Sequence, residues 1–376
     1  MNERKKVLHL LWSGGIGGTE EYITSLAGHF DPEKYQVNLC FLSKKGLIYE
    51  EAMKMKRNNV NTNFIGIRHG FDIVNAAGFA VFLHKNRFDI IHIHIRNFLS
   101  MAVVVLFASK AVKIITHHVG SGDKVLLRKS RMYYKIFSGF FHKITAISKV
   151  VRENMIRDFG IAELGKIEVI YNGIDLKKFS NNIIPPSELL HIRKTGRYVI
   201  GFIGRMEHFK RPDLFIQTAA ELLKKDRKFY FIMVGDGSEL EKCKDMIEKY
   251  NIGEYFSLPG YRRDIPGVLK LFDALLFTSK GEGFGIVLLE AMAMSIPVFA
   301  INDGPIPEII TNGENGILLD TLDPECIARQ ILESIEDDYL INKIKKQGVE
   351  DVHLKFSIET IARQMENIYT GALSRV

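Results

Sequence analysis

A chain of 376 residues exceeds the size at which one hydrophobic core usually stops growing, so two domains are expected. With 46% hydrophobic and 25% charged residues it is neither disordered nor membrane-spanning, since no apolar run approaches the roughly twenty residues a span needs. Cys40, Cys243 and Cys326 are too scattered for a disulfide scaffold or a zinc site and suit a reducing cytoplasm. A formal charge of +7 calls for an anionic partner without choosing among nucleic acid, lipid and phosphate.

Strand-like and helix-like runs alternate along the chain, the signature of parallel βαβ units. The basic N-terminus leads into "KVLHLLW" (6–12), too short for a signal peptide's apolar region and better read as a first strand. It ends at the glycine cluster "SGGIGGTE", and a helix is expected from about Glu20 to Phe30. "YQVNLCFL", "VNTNFIGI", "FDIIHIHI", "VKIITHH", "HKITAIS" and "IEVIYNGID" are further strand candidates. Paired prolines at 185–186 then interrupt the pattern, so 184–196 reads as a linker after a first domain of 1–183. Alternation restarts with "YVIGFIGR", "KFYFIMVGDG", "YFSLPG", "DALLFTS", "IPVFAI" and "GILLD", which makes 197–355 a second domain. The fold class is therefore α/β, two Rossmann-like parallel-sheet halves. A last amphipathic helix (356–376) is expected to return to brace the first.

Three glycine-containing loops carry the chemistry. Gly14, Gly15, Gly17 and Gly18 lie between a strand and a helix, where amides and helix dipole favour an anion. A dinucleotide fingerprint needs a glycine three residues after Gly17, and that residue is Glu20, which disfavours a dehydrogenase. In "GFIGRMEHFKRPD", Arg205 directly follows a strand and Lys210 precedes Pro212, a residue suited to a first helical turn. Two such cations can neutralise a departing pyrophosphate, or simply form a solvated basic loop. In "KGEGFGIVLLEAMAMSIPV", glycines 281, 283 and 285 precede a helix so apolar that Glu290 is expected to be buried. A buried carboxylate needs donors, and the vicinal hydroxyls of a ribose would supply them.

"EGFGIVLLE", a Glu-x7-Glu pattern, resembles the donor-site signature of retaining glycosyltransferases with the GT-B fold, especially family four. "YNGID", "FIGRMEHFKRPD", "VGDGSE", "PGYRRDI" and "GPIPEIITNGENGILL" resemble the family's other segments in order, densely over 170–320 and more thinly before. The resemblance implies two domains facing across a cleft and transfer of a hexosyl or N-acetylhexosaminyl group from a nucleotide-diphosphate sugar. UDP is the family's common choice. The acceptor would be a lipid-linked or polysaccharide intermediate of cell-envelope or exopolysaccharide synthesis.

On that resemblance Arg205 and Lys210 grip the pyrophosphate and Glu290 holds the ribose. Glu282, the backbone of Phe284 and Gly285, and neighbouring Ile286 face the donor sugar, while Gly15 and Gly17 reach the phosphates. A first-domain histidine approaches the sugar, His118 in preference to His117, because Thr-x-His fits better. Glu282 positions and does not attack; no cofactor and, without Asp-x-Asp, no metal are expected. Where many relatives have Lys-Gly, this chain has Lys210-Arg211, whose extra guanidinium could touch phosphate or face solvent.

The basic, acid-free stretch "KVLLRKSRMYYKIFSGFFHK" (124–143) suits an amphipathic helix on anionic lipid, or equally one that only covers the sheet. Together these expectations make the chain a cytoplasmic enzyme, peripheral on the inner membrane face, with no nucleic-acid partner. A GT-B epimerase and a non-catalytic sugar- or nucleic-acid-binding protein are the competing readings.

Overall fold

The computed structural model describes residues 3–374 except 16, 56–59, 70–71, 119, 121–123, 161–166 and 181, and only the backbone of 124–128. The chain divides into two compact units, Met1–Ile174 with Ile358–Val376, and Asp175–Ser357.

The first unit holds seven parallel strands: β1 (Lys5–Ser13), β2 (Tyr35–Lys44), β3 (Val60–Phe64), β4 (Ile90–Ile93), β5 (Val112–His117), β6 (Lys143–Ala146) and β7 (Ile167–Val169). Their order is β3-β2-β1-β4-β5-β6-β7, so the chain winds outward in both directions from the β1–β4 pair. Loops at the carboxyl ends of such a pair diverge and leave a crevice, the usual ligand position in open α/β sheets. The strands read as continuous apolar runs because both sheet faces are covered; Val7, Leu8, Leu10, Ile90 and Ile91 are buried. One cover is the helix Ile358–Leu373, whose Ile358, Ile361, Met365, Ile368 and Tyr369 form an inward stripe at helical spacing. Tyr369 stacks on Phe30 with ring centroids 5.5 Å apart, and the Asp31 N–H donates to Glu366 Oε1 at 2.7 Å.

The helix Lys124–Phe137 lies in this unit too. Tyr133, Tyr134 and Phe137 face inward, whereas Lys129, Arg131, Met132, Lys135 and Ile136 are exposed, as is Phe140 beyond the helix. Among the described residues no helix is long and apolar enough to cross a membrane.

The second unit holds six parallel strands: β8 (Tyr198–Ile203), β9 (Phe229–Val234), β10 (Phe256–Gly260), β11 (Ala274–Phe277), β12 (Val298–Ile301) and β13 (Ile317–Leu319). The order β10-β9-β8-β11-β12-β13 places the reversal between β8 and β11. Phe202, Phe215, Phe231 and Phe256 interlock in its core, with Phe231 and Phe256 centroids 5.1 Å apart. Within the stretch read as a linker, Ser187–Leu189 and Leu190–Arg193 form short helical turns that bury Leu189 and Ile192 in this unit.

Candidate active site

In the second unit the two chemistry-bearing loops leave β8 and β11, the pair at the reversal. The Gly204 N–H donates to Val234 O at 3.0 Å, and the Met206 N–H donates to Asp236 O at 2.9 Å, so the loop after β9 lies directly on the loop after β8. Gly235, at φ +144°, has no room for a side chain, since a Cβ there would overlap the Gly204 carbonyl. This backbone contact fixes where Arg205 emerges. Its side chain is exposed over the Phe209 ring, 5.6 Å from the centroid, and has no acidic partner among the described residues.

The β11 loop is tied to the same segment. The Lys280 N–H donates to Phe209 O at 2.7 Å, and Thr278 Oγ1 lies 2.9 Å from both the Lys210 and Arg211 carbonyls. The Gly281 N–H donates to Asp303 Oδ2 at 2.7 Å. Held in this way, Lys210 Nζ forms an ion pair with Glu282 Oε1, and both side chains are largely buried. Lys210 also lies 5.6 Å from the Phe277 ring centroid, so the pair sits in a partly apolar setting where charges act more strongly than in water. Arg211 turns away: at φ 52° it starts the helix Pro212–Lys225, and its guanidinium pairs with Asp213 at 3.0 Å.

Gly285, at φ +111°, leads into the helix Ile286–Ala293. Phe284 is buried, its ring against Phe356 with centroids 5.9 Å apart. The burial expected for Glu290 is corrected. The helix is eight residues long and buries Leu288, Leu289, Ala291 and Met292, while Glu290 and Ile286 are half-buried. The helix packs on β11, β12 and the helix Asp338–Lys355, and the part of its surface that carries Glu290 and Ile286 is left partly open, so an apolar sequence does not enclose the whole cylinder.

In the first unit, the glycine loop follows β1, and much of its backbone is already engaged. The Gly14 N–H donates to Lys44 O at 2.7 Å, and the Gly15 N–H donates to Ser13 Oγ at 3.0 Å. Gly17 precedes the helix Gly18–Ala27, and the Glu20 carboxylate folds back so closely that a Cβ on Gly17 would strike it. Burial raises the Glu20 pKa. Ile16 lies outside the described residues.

His117 ends β5 and points into the core, with Arg96 Nη1 and Tyr134 Oη each 3.3 Å from its Nδ1 and the Phe159 ring centroid 5.4 Å away. Burial, with the Arg96 charge second, holds it well below the usual histidine range. His118 is half-buried; its Nε2 lies 3.0 Å from His94 Nδ1, and its Nδ1 takes no partner among the described residues.

Two family models divide the sequence between them. "Glycosyltransferase Family 4" matches residues 16–178, and "Glycosyl transferases group 1" matches residues 191–351. The chain is a family-four glycosyltransferase.

The transferase is 26% identical to N-acetyl-alpha-D-glucosaminyl L-malate synthase of Bacillus anthracis over 81% of this chain and 80% of that one. It is 24% identical to the Escherichia coli UDP-Gal:alpha-D-GlcNAc-diphosphoundecaprenol alpha-1,3-galactosyltransferase over 76% of each. The solved Anabaena HepE protein, in complex with UDP and glucose, superimposes with a TM-score of 0.82 at 21% identity, covering 98% of this chain and all of that one. That likeness identifies the GT-B fold.

Within the transferase's second unit, Lys210 and Glu282 meet, Arg205 emerges beside the same Phe209, and Gly285, Ile286 and Glu290 continue from the Glu282 loop. In the first unit, His118 joins a histidine cluster and His117 does not. Reasoning from sequence missed Asp303 and Thr278, which hold the loops after β8 and β11, and gave no role to His9, His92, His94 and Tyr369. For the histidines there was a signal: "HIH" on a strand puts His92 and His94 on one face.

Proposed function

We infer that this glycosyltransferase moves a hexosyl or N-acetylhexosaminyl group from a UDP-sugar, with retention, to a hydroxyl of a lipid-linked or polysaccharide intermediate of the cell envelope. The observation that supports it most is the junction of the β8 and β11 loops, where Lys210, Arg205 and Glu282 gather beside the start of the helix Ile286–Ala293. Arg205 and Lys210 stabilise the departing diphosphate, the term that usually dominates such a transfer. In this reading those fixed cations act without a metal. Glu290 accepts hydrogen bonds from the ribose hydroxyls. Glu282 keeps Lys210 in place and faces the sugar with the backbone of Phe284 and Gly285. Gly15 and Gly17 let the phosphates approach closely, and His118 meets the donor sugar, with His117 as its internal neighbour. The acceptor attacks the face that the diphosphate leaves, and a leaving phosphate oxygen takes the acceptor's proton.

The choice of a UDP-sugar and an envelope acceptor draws on relatives that act on N-acetylglucosamine and on UDP-galactose with a diphosphoundecaprenol-linked acceptor. The helix Lys124–Phe137 supports work at a membrane surface, because its outward face mixes Lys129, Arg131 and Lys135 with Met132 and Ile136.

A thermal-shift panel of nucleoside diphosphates and UDP-sugars, without metal, tests the donor site. UDP is expected to raise the melting temperature of the wild type, and Glu290→Ala to weaken that binding by about tenfold to a hundredfold. A panel without any nucleotide response sinks the reading. Sedimentation with vesicles tests the surface: vesicles rich in anionic lipid should carry the protein down at low salt. Replacing Lys129, Arg131 and Lys135 with glutamate should leave it in the supernatant.

A further inference from the structure

Seven polar groups inside the first unit form one unbranched hydrogen-bonded chain that ends at His118. Thr145 Oγ1 lies 3.5 Å from the Ile115 carbonyl and 2.6 Å from Thr116 Oγ1. Thr116 Oγ1 meets His92 Nε2 at 2.6 Å, and His92 Nδ1 meets Tyr369 Oη at 2.7 Å. Tyr369 Oη continues to His9 Nε2 at 3.3 Å, His9 Nδ1 to His94 Nε2 at 3.0 Å, and His94 Nδ1 to His118 Nε2 at 3.0 Å.

The sheet register assembles it. His9 on β1 is the direct cross-strand partner of His92 on β4, and the His9 and His94 rings are stacked 5.2 Å apart. Tyr369 arrives from the last helix of the chain. His9, His92 and Tyr369 are fully buried. Desolvation lowers the pKa of His9 to about 3 and, with Arg96 adding to it, that of His118 to about 3 as well. His92 and His94 are also held well below the usual histidine value, first by burial and then by neighbouring imidazoles, His9 and His118 for both and His92 for His94. Among the described residues, none of the rings' hydrogen-bond partners is a carboxylate. At neutral pH each ring therefore carries one N–H and one lone pair.

A chain of groups that each contribute one proton has a direction. The Ile115 carbonyl can only accept, so Thr145 donates to it, Thr116 donates to Thr145, and the His92 Nε2–H donates to Thr116. His92 Nδ1 is then the acceptor for the Tyr369 hydroxyl. The shorter of the two distances at Tyr369 is the one to His92, as expected for the link in which its O–H is the donor. Tyr369 in turn accepts from the His9 Nε2–H, His9 Nδ1 from the His94 Nε2–H, and His94 Nδ1 from the His118 Nε2–H. Among the described residues, the one ring nitrogen of the relay left without a proton or a partner is His118 Nδ1.

We propose that this relay fixes the tautomer of His118, so that its Nδ1 offers a lone pair to a hydroxyl of the donor sugar. His94, His9, Tyr369 and His92 are its positioning residues, and the sugar contact itself rests on the functional reading above. A lone pair selects a ligand group that donates, such as a hydroxyl, over one that only accepts. His9, His92 and His94 are also close enough together to hold a metal ion. Metal binding would take ring nitrogens from Tyr369, Thr116 and the adjacent imidazoles, and so competes with the relay.

Long-range proton–nitrogen correlation spectra of full-length protein carrying 15N-histidine test this at pH 7.5, with His118 assigned from His118→Asn. The expected result is a bare Nδ1 and a protonated Nε2. In Tyr369→Phe, which keeps a ring against Phe30 but lacks the hydroxyl, His118 should become a mixture of tautomers. Turnover of a UDP-sugar should fall about tenfold. Thr116→Val should disturb the His118 signals in the same way, and Thr116→Ser should restore them. A protonated Nδ1 in the wild type overturns the proposal, as do His118 signals unmoved in both Tyr369→Phe and Thr116→Val. So does movement of the His9, His92 and His94 signals on adding one equivalent of zinc. The spectra need no substrate, so expected tautomers in a protein that uses no nucleotide-sugar would overturn the functional reading and leave the relay standing.

Discussion

The two units place their polar chemistry in opposite settings. In Asp175–Ser357 the groups are charged and sit on loops: Arg205 is exposed, and Lys210 and Glu282 pair at the junction of two strand ends. In the first unit they are neutral and internal, a file of imidazoles between a sheet and a helix. In the proposed function, fixed charges on these loops meet a diphosphate, whose own charge makes up for their loss of water. His9, His92 and His94 tolerate burial as neutral rings because each has both ring nitrogens engaged, and what they transmit is orientation.

Removing a charge from these loops should give the largest effect. Lys210→Ala is expected to cut turnover by about a thousandfold, because it deletes the cation proposed to meet the diphosphate and leaves Glu282 without its partner. A loss below tenfold, with the melting temperature unchanged, would mean that the loop's charges are not its working part. The loops' dependence on backbone contact is tested by Gly235→Ala, which should destabilise the second unit by about 3 kcal/mol in chemical denaturation. An unchanged midpoint would show that the loops after β8 and β9 move apart freely.

Acid should act on the other unit. Unfolded histidines bind a proton near pH 6.5, whereas folded His9 and His118 refuse one until about 3. Stability is therefore complete above about 6.5 and declines as pH falls through that window. Each ring contributes up to about 1.4 kcal/mol per pH unit. Trp12, the only tryptophan, lies on β1 and reports on this unit by fluorescence. Urea midpoints between pH 7 and 5 should fall in the wild type and fall less steeply in His9→Gln. Parallel slopes would remove His9 from the acid response.

The same contrast explains what the sequence disclosed. Arg205, Lys210 and Glu282 lie within short segments, so "GRMEHFK" and "KGEGFG" could be read as loops with cations, glycines and a carboxylate before any fold was known. The alternation of strands and helices gave the parallel sheets for a similar reason, since each βαβ unit is local. The relay is assembled from residues 9, 92, 94, 116, 118, 145 and 369, and only the strand order and the return of the last helix make them neighbours. Glu290 shows the opposite error: its surroundings in sequence are apolar, but its own position on the eight-residue helix is left half-open.

The first unit is discontinuous in the chain, and this sets an order for its biosynthesis. Residues up to Ile174 leave the ribosome with Phe30, Tyr35 and His9 uncovered, and the helix that covers them follows some 180 residues later, after the whole of Asp175–Ser357. The second unit has all of its sequence in one piece and can close first. The earlier-made half thus waits as a nascent intermediate with an open apolar seam, which its own last helix closes only when translation reaches Leu373.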